Sequence, residues 1–104
     1  LDWTVNLIYN TSIDQLKKIC RDIEDFLLKN ENFPADLDRD NFVKVQQLGE
    51  SSIDLKIICH TEAVGFLRYC EMKEDLIFNI IESVINNGSD FAFPSRTVYI
   101  DNSN

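Results

Sequence analysis

The stretch "FVKVQQLGESSIDLKIICHT", Phe42 to Thr61, carries two β-rich runs on either side of Gly49. Val43 and Val45 share one face of the first run. Ile53, Leu55, Ile57 and Cys59 share one face of the second. Alternation with a period of two marks half-buried strands, and a short polar turn between two such runs marks an antiparallel hairpin. The pattern predicts strands over 42–48 and 52–60. Gly49 is expected in the turn at positive φ, where a β-branched side chain is poorly tolerated.

Outward from the hairpin, each side supplies one strand and one helix. Residues 1–9, "LDWTVNLIY", place Trp3, Val5, Leu7 and Tyr9 on one face of a strand. Ser12 with Gln15 three residues later forms a capping box. The helix it starts aligns Leu16, Ile19, Cys20, Ile23, Phe26 and Leu27 in one apolar stripe. The stripe fades at Lys29 and Asn30, and Pro34 forbids continuation. From about Val64 to Asn87 the period is again helical. Leu76, Ile80 and Val84 form one stripe with Tyr69 and Met72. Ile77, Ile81 and Ile85 form a second beside it, with Phe66 and Cys70. Together the apolar residues cover about half the helical circumference at 100° per residue. That is wider than one sheet contact requires, and broad exposed apolar patches mark interfaces. Gly88 suits the position after the helix end. "FAFPSR" then leads into a last strand, "TVYI".

The order β-α-β-β-α-β predicts an α+β, ferredoxin-like two-layer sandwich: a four-stranded antiparallel sheet with two helices on one face. Right-handed crossovers put the first and third strands at the centre and the second and fourth at the edges. The 104 residues, 44% of them apolar, suit a single domain over 1–104. The chain begins with Leu1 rather than Met, which leads us to expect a processed protein or a piece of a longer one. No run is long and apolar enough to span a bilayer, so any membrane role is expected to belong to further sequence.

Composition and motifs exclude most chemistries. With 18 acidic and 10 basic residues the net charge is −8, which disfavours nucleic acid and anionic lipid as partners. Cys20, Cys59 and Cys70 are odd in number and read as small apolar groups rather than a disulfide framework. His60 adjoins Cys59, and neighbours on a strand point to opposite faces, so the two cannot chelate one metal. Glu31, Asp36, Asp38 and Asp40 invite a calcium reading, but the glycine and the closing glutamate of such a loop are missing. Gly49, Gly65 and Gly88 are isolated, so no phosphate-cradling loop exists. Ser52, Asp54, Lys56, Ile58 and His60, on the outward face of the third strand, include no aromatic on which a base could stack. Glu71 and Glu74, three apart on a helix, read as a solvated pair. No nucleophile has a base and an orienting group, and neither catalysis nor a cofactor is expected.

Over nearly its whole length the chain resembles the C-terminal cytoplasmic domain of the small-conductance mechanosensitive channel (MscS) family. The hairpin carries part of the likeness, in Val43, Val45, the turn Leu48-Gly49-Glu50-Ser51-Ser52-Ile53, and Leu55. The end carries the rest, in Phe91, Phe93, Pro94, Arg96 and Thr97. "LIYNTSIDQLKKI" is similar to the family's first strand and helix. The family's pore-lining helix and middle β domain are absent from these residues.

The resemblance implies a non-catalytic domain on the cytoplasmic side of the cell membrane, joined to it only through upstream helices. In such channels seven copies ring a hollow vestibule beneath the pore. The implied partners are other copies of the same subunit, a homo-heptamer in the full-length protein. The implied role is assembly and the filtering of solutes and ions during osmotic-shock efflux. In that setting Phe91, Phe93, Pro94, Arg96, Val98 and Ile100 are candidate oligomer contacts, because Pro94 directs the chain and the aromatics anchor it. Two other readings compete. A small-molecule-sensing regulatory module needs a convergent polar pocket. A small hydrolase of the acylphosphatase type needs an arginine in the loop after the first strand, where this chain has "NTS".

Overall fold

A computed structural model describes residues 1–34, 40–62 and 64–92. The elements are β1 (Asp2–Ile8), α1 (Ile13–Lys29), β2 (Phe42–Leu48), β3 (Ser52–Ile58) and α2 (Phe66–Asn86). β3 lies between β1 and β2 and is antiparallel to both. The expected hairpin and the central third strand are therefore present, with β3 ending two residues earlier than its sequence pattern.

Alternation in the strands and the apolar stripes of the helices meet in one core. Leu7 of β1, Val43 of β2, and Leu55 and Ile57 of β3 are fully buried. α1 covers them with Ile19, Ile23 and Leu27, and α2 with Met72, Leu76, Ile80 and Val84. Both helices thus lie on one face of the sheet. Complete burial of a Leu or Ile side chain contributes about 1.5–3 kcal/mol, so this layer dominates stability.

Local signals set the helix ends. The Gln15 N–H donates to Ser12 Oγ (3.1 Å) and the Ser12 N–H to Gln15 Oε1 (2.8 Å), which completes the capping box. The Gln15 amide also donates to the Asn87 carbonyl at 3.0 Å, tying the start of α1 to the end of α2. There Gly88 has φ +80°, its N–H reaches the Ile85 carbonyl, and the Ser89 N–H reaches that of Val84. This paired pattern satisfies two carbonyls that the helix leaves open. A buried 2.7 Å hydrogen bond between the Thr11 and Ser89 hydroxyls closes the same corner.

Gly49 departs from expectation. Positive φ occurs at Gly65 and Gly88, and not at Gly49. The turn needs a small residue there for a different reason. The Gly49 N–H donates to the Ser52 carbonyl at 2.7 Å, and a Cβ on Gly49 would stand 2.9 Å from Ser52 Oγ.

After α2 the chain returns to the free edge of β1. The Ile8 N–H donates to the Asp90 carbonyl (3.1 Å) and the Ala92 N–H to that of Asn6 (2.9 Å), so Phe91 faces Leu7 in an antiparallel bridge. The expected fourth strand, Thr97–Ile100, lies outside the described residues. Those residues form a three-stranded antiparallel sheet with two helices, and a four-stranded sheet is not among them.

Candidate interaction surfaces

The second stripe of α2 stays outside the core. The first stripe faces the sheet, and residues one position further round the helix are turned about 100° away from it. Phe66 (82% exposed), Phe78 (54%), Ile85 (50%) and Ile81 (44%) consequently face outward. Glu71, Glu74, Asp75 and Glu82, all exposed, flank them. Below this stripe, toward the edge of β1, lies a recess of about 220 Å³ lined by Trp3, Val5, Ile77, Ile81 and Phe91. Lys73 stands over the Trp3 ring, 5.6 Å from its centroid.

The opposite edge of the sheet carries a groove between α1 and β2, about 470 Å³ in volume. Leu16, Cys20, Val43 and Val45 form its apolar floor, so Val43 and Val45 do share a face. Lys17, Arg21 and Lys44 stand around it with a single acid, Glu24. The Glu24 carboxylate accepts the Val43 N–H at 3.0 Å and pairs with Lys44 at 3.6 Å. An edge-strand donor is thereby satisfied within the chain.

The outward sheet face holds one buried carboxylate, Asp54, only 6% exposed. It accepts from Ser52 Oγ (2.8 Å), Asn6 Nδ2 (2.6 Å) and Gln47 Nε2 (3.1 Å). Gln47 sits opposite Asp54 because β2 has an irregularity between Val45 and Gln47 that shifts the register. The Ser52 hydroxyl first, then the Asn6 amide, hold the Asp54 carboxyl below the ordinary carboxylate range, against the opposing effect of burial. A depressed folded-state value means the unfolded chain binds the proton more readily. The contribution is complete above the unfolded value and is lost as pH falls through the folded one. Asp54→Asn should therefore be less stable than the parent at pH 7, and the gap should narrow at pH 2–3. Urea midpoints across that range test this, and a gap independent of pH would assign the loss to shape alone.

Among the described residues the remaining titratable groups do not gather into a reactive site. Burial raises the Cys59 thiol, and burial with the Glu24 charge raises that of Cys20, so both stay protonated at neutral pH. All three cysteines are free. The His60 N–H donates to Asn41 Oδ1, which places His60 just past the end of β3. A polar cleft between the helices is lined by Asp22, Asp25, Lys29, Asn79 and Glu82. Among the described residues no group of three His, Cys, Asp or Glu could hold a metal ion. Of the acids that invited a calcium reading, Asp36 and Asp38 lie outside the described residues.

Of the candidate oligomer contacts, Phe91 is half-buried and packs against the core. Phe93, Pro94, Arg96, Val98 and Ile100 lie outside the described residues. The sequence reading singled out the wide apolar arc of α2, but the α1–β2 groove and the buried state of Asp54 escaped it. Both depend on which elements become neighbours. The one linear trace of the groove is the run of cations at Lys17, Lys18 and Arg21.

This arrangement of two helices over an antiparallel sheet has clear relatives. A family model described as "Mechanosensitive ion channel MscS, C-terminal" matches residues 1–91. An uncharacterized MscS family protein of Aquifex aeolicus is 32% identical over 93% of this chain and 26% of its own length. The low conductance mechanosensitive channel YnaI of Escherichia coli is 34% identical over 69% of this chain and 21% of its own. Among solved structures, Arabidopsis thaliana MSL1 A320V superposes with a TM-score of 0.77 at 14% identity, over 90% of this chain and 35% of that one. Helicobacter pylori MscS in the closed state gives 0.66 at 20% identity, over 99% and 38%. The match over residues 1–91 gives the class first: a domain of mechanosensitive ion channel proteins. The chain belongs to the MscS family of mechanosensitive ion channels, in its C-terminal domain. It spans about a quarter of the length of these sequence relatives, and among the described residues no helix is long and apolar enough to cross a membrane.

Proposed function

We propose that residues 1–104 are one non-catalytic domain on the cytoplasmic side of a mechanosensitive channel, where copies form part of an oligomeric cage beneath the pore. The domain supports assembly and filters what reaches the pore during osmotic efflux. The observation that carries this reading is the second apolar stripe of α2, which a family member's domain leaves outside its own core. Apolar surface of that breadth favours a protein partner. In this reading the antiparallel bridge at Phe91 begins a fourth, ferredoxin-like edge strand. Phe91, Phe93, Pro94, Arg96, Val98 and Ile100 then lie at or near contacts between copies.

The full-length parent protein tests the proposal. Reconstituted in lipid vesicles, it should pass current under suction, and in detergent it should size as a closed oligomer by light scattering. Val98→Asp should loosen that oligomer. A monomeric parent, or one that no membrane tension opens, would overturn the reading.

A further inference from the structure

We propose that neighbouring copies meet head to tail, the exposed stripe of α2 on one copy seated in the α1–β2 groove of the next. The inference rests on the oligomeric reading above and names the two faces that make it.

Four features of the chain lead to it. First, the two surfaces lie on opposite edges of one sheet, with β3 between them: the groove runs beside β2, and the stripe lies beyond β1. Unlike surfaces on opposite edges generate rings or filaments, whereas a surface that meets itself stops at a dimer. Second, both are apolar at the centre. Phe78, Ile81 and Ile85 protrude from a helix, and Leu16, Cys20, Val43 and Val45 line a concavity. Third, their charges are complementary. The chain carries −8 overall, yet the groove gathers Lys17, Arg21 and Lys44 around one acid. The stripe holds Glu74 between Cys70 and Phe78 and is bordered by Glu71, Asp75 and Glu82; Arg68 pairs with Glu71 and Lys73 stands on the Trp3 side, which leaves acids in excess. Opposite charges around an apolar centre set register and partner choice. Two stripes would bring together two acidic surfaces, and two grooves two basic ones. Fourth, Glu24 already occupies the Val43 N–H. An added strand at that position would have to displace it, so the groove suits a helix face better than an extended segment.

The experiment uses full-length protein carrying Cys20→Ala and Cys70→Ala, with the buried Cys59 retained. Val45→Cys marks the groove and Ile81→Cys marks the stripe. Both positions are partly exposed, at 46% and 44%, so neither change empties the core. A short bismaleimide should convert the double variant into a ladder of covalent multimers and leave each single variant uncrosslinked. Dimers from Ile81→Cys alone would mean that the stripe meets its own copy, and would overturn the inference. Light scattering on the same samples separates the remaining outcomes. A closed oligomer without a ladder means that the stripe is covered otherwise, by residues 93–104 or by another domain. That result overturns the head-to-tail contact and leaves the oligomeric reading standing. A monomer overturns both.

Discussion

Leu55→Ala is expected to lower the melting temperature by about 10 °C or more, the largest effect we anticipate from a single substitution. Leu55 sits on the central strand, fully buried, with strands on both sides and helices above. Removing three methyl-sized groups there loses their transfer free energy and leaves a cavity that neighbouring strands and helices cannot collapse to fill. Such changes cost about 2–5 kcal/mol. In a domain of this size each kcal/mol moves the midpoint by roughly 4–8 °C. Leu48→Ala is the matched control, because Leu48 is 68% exposed at the end of β2 and should stay within about 0.5 kcal/mol of the parent. Thermal unfolding followed by circular dichroism would decide it. Equal midpoints for the two variants would mean that the layer under β3 is not the main source of stability.

Gly88→Val should be the second most damaging change, through two separate effects. The backbone at Gly88 has φ +80°, which a β-branched residue adopts at a cost of about 1–3 kcal/mol. A Cβ there also stands 3.0 Å from Gln15 Nε2, the group that bridges to the Asn87 carbonyl. Displacing Gln15 loosens the α1 capping box as well as the end of α2. Gln15→Ala separates the two causes, because it removes the bridge and leaves the Gly88 backbone as it is. Gly88→Ala should cost less in the Gln15→Ala background than in the parent. Denaturant midpoints of the four proteins would measure the difference. An equal cost in both backgrounds would remove the side-chain bridge from the account.

The part of the fold that local chemistry controls was legible in the sequence. Ser12 and Gln15 mark the start of α1 because both partners of the capping box lie within four residues. Gly88 marks the end of α2 because its missing Cβ suits a left-handed residue. Val43, Ile53, Leu55 and Ile57 mark the buried face of the hairpin because a strand alternates. Gly49 shows the limit of that reasoning. A glycine in a turn suggests positive φ, yet here its role is to let the backbone pass Ser52.

The family, too, was legible from the hairpin, which lies within the matched residues 1–91. The two halves of the proposed contact were not equally so. The excess apolar arc of α2 follows from counting residues around a helix, and its exposure was a reasonable expectation. The cationic groove needs α1 laid beside β2, and the depressed Asp54 needs the shifted register that brings Gln47 alongside it. Sequence patterns determined the elements, the face each one buries and the family, because periodicity and caps act over a few residues. Only the tertiary structure decided which surfaces remain uncovered and which charges surround them, because burial depends on contacts between residues far apart in the chain.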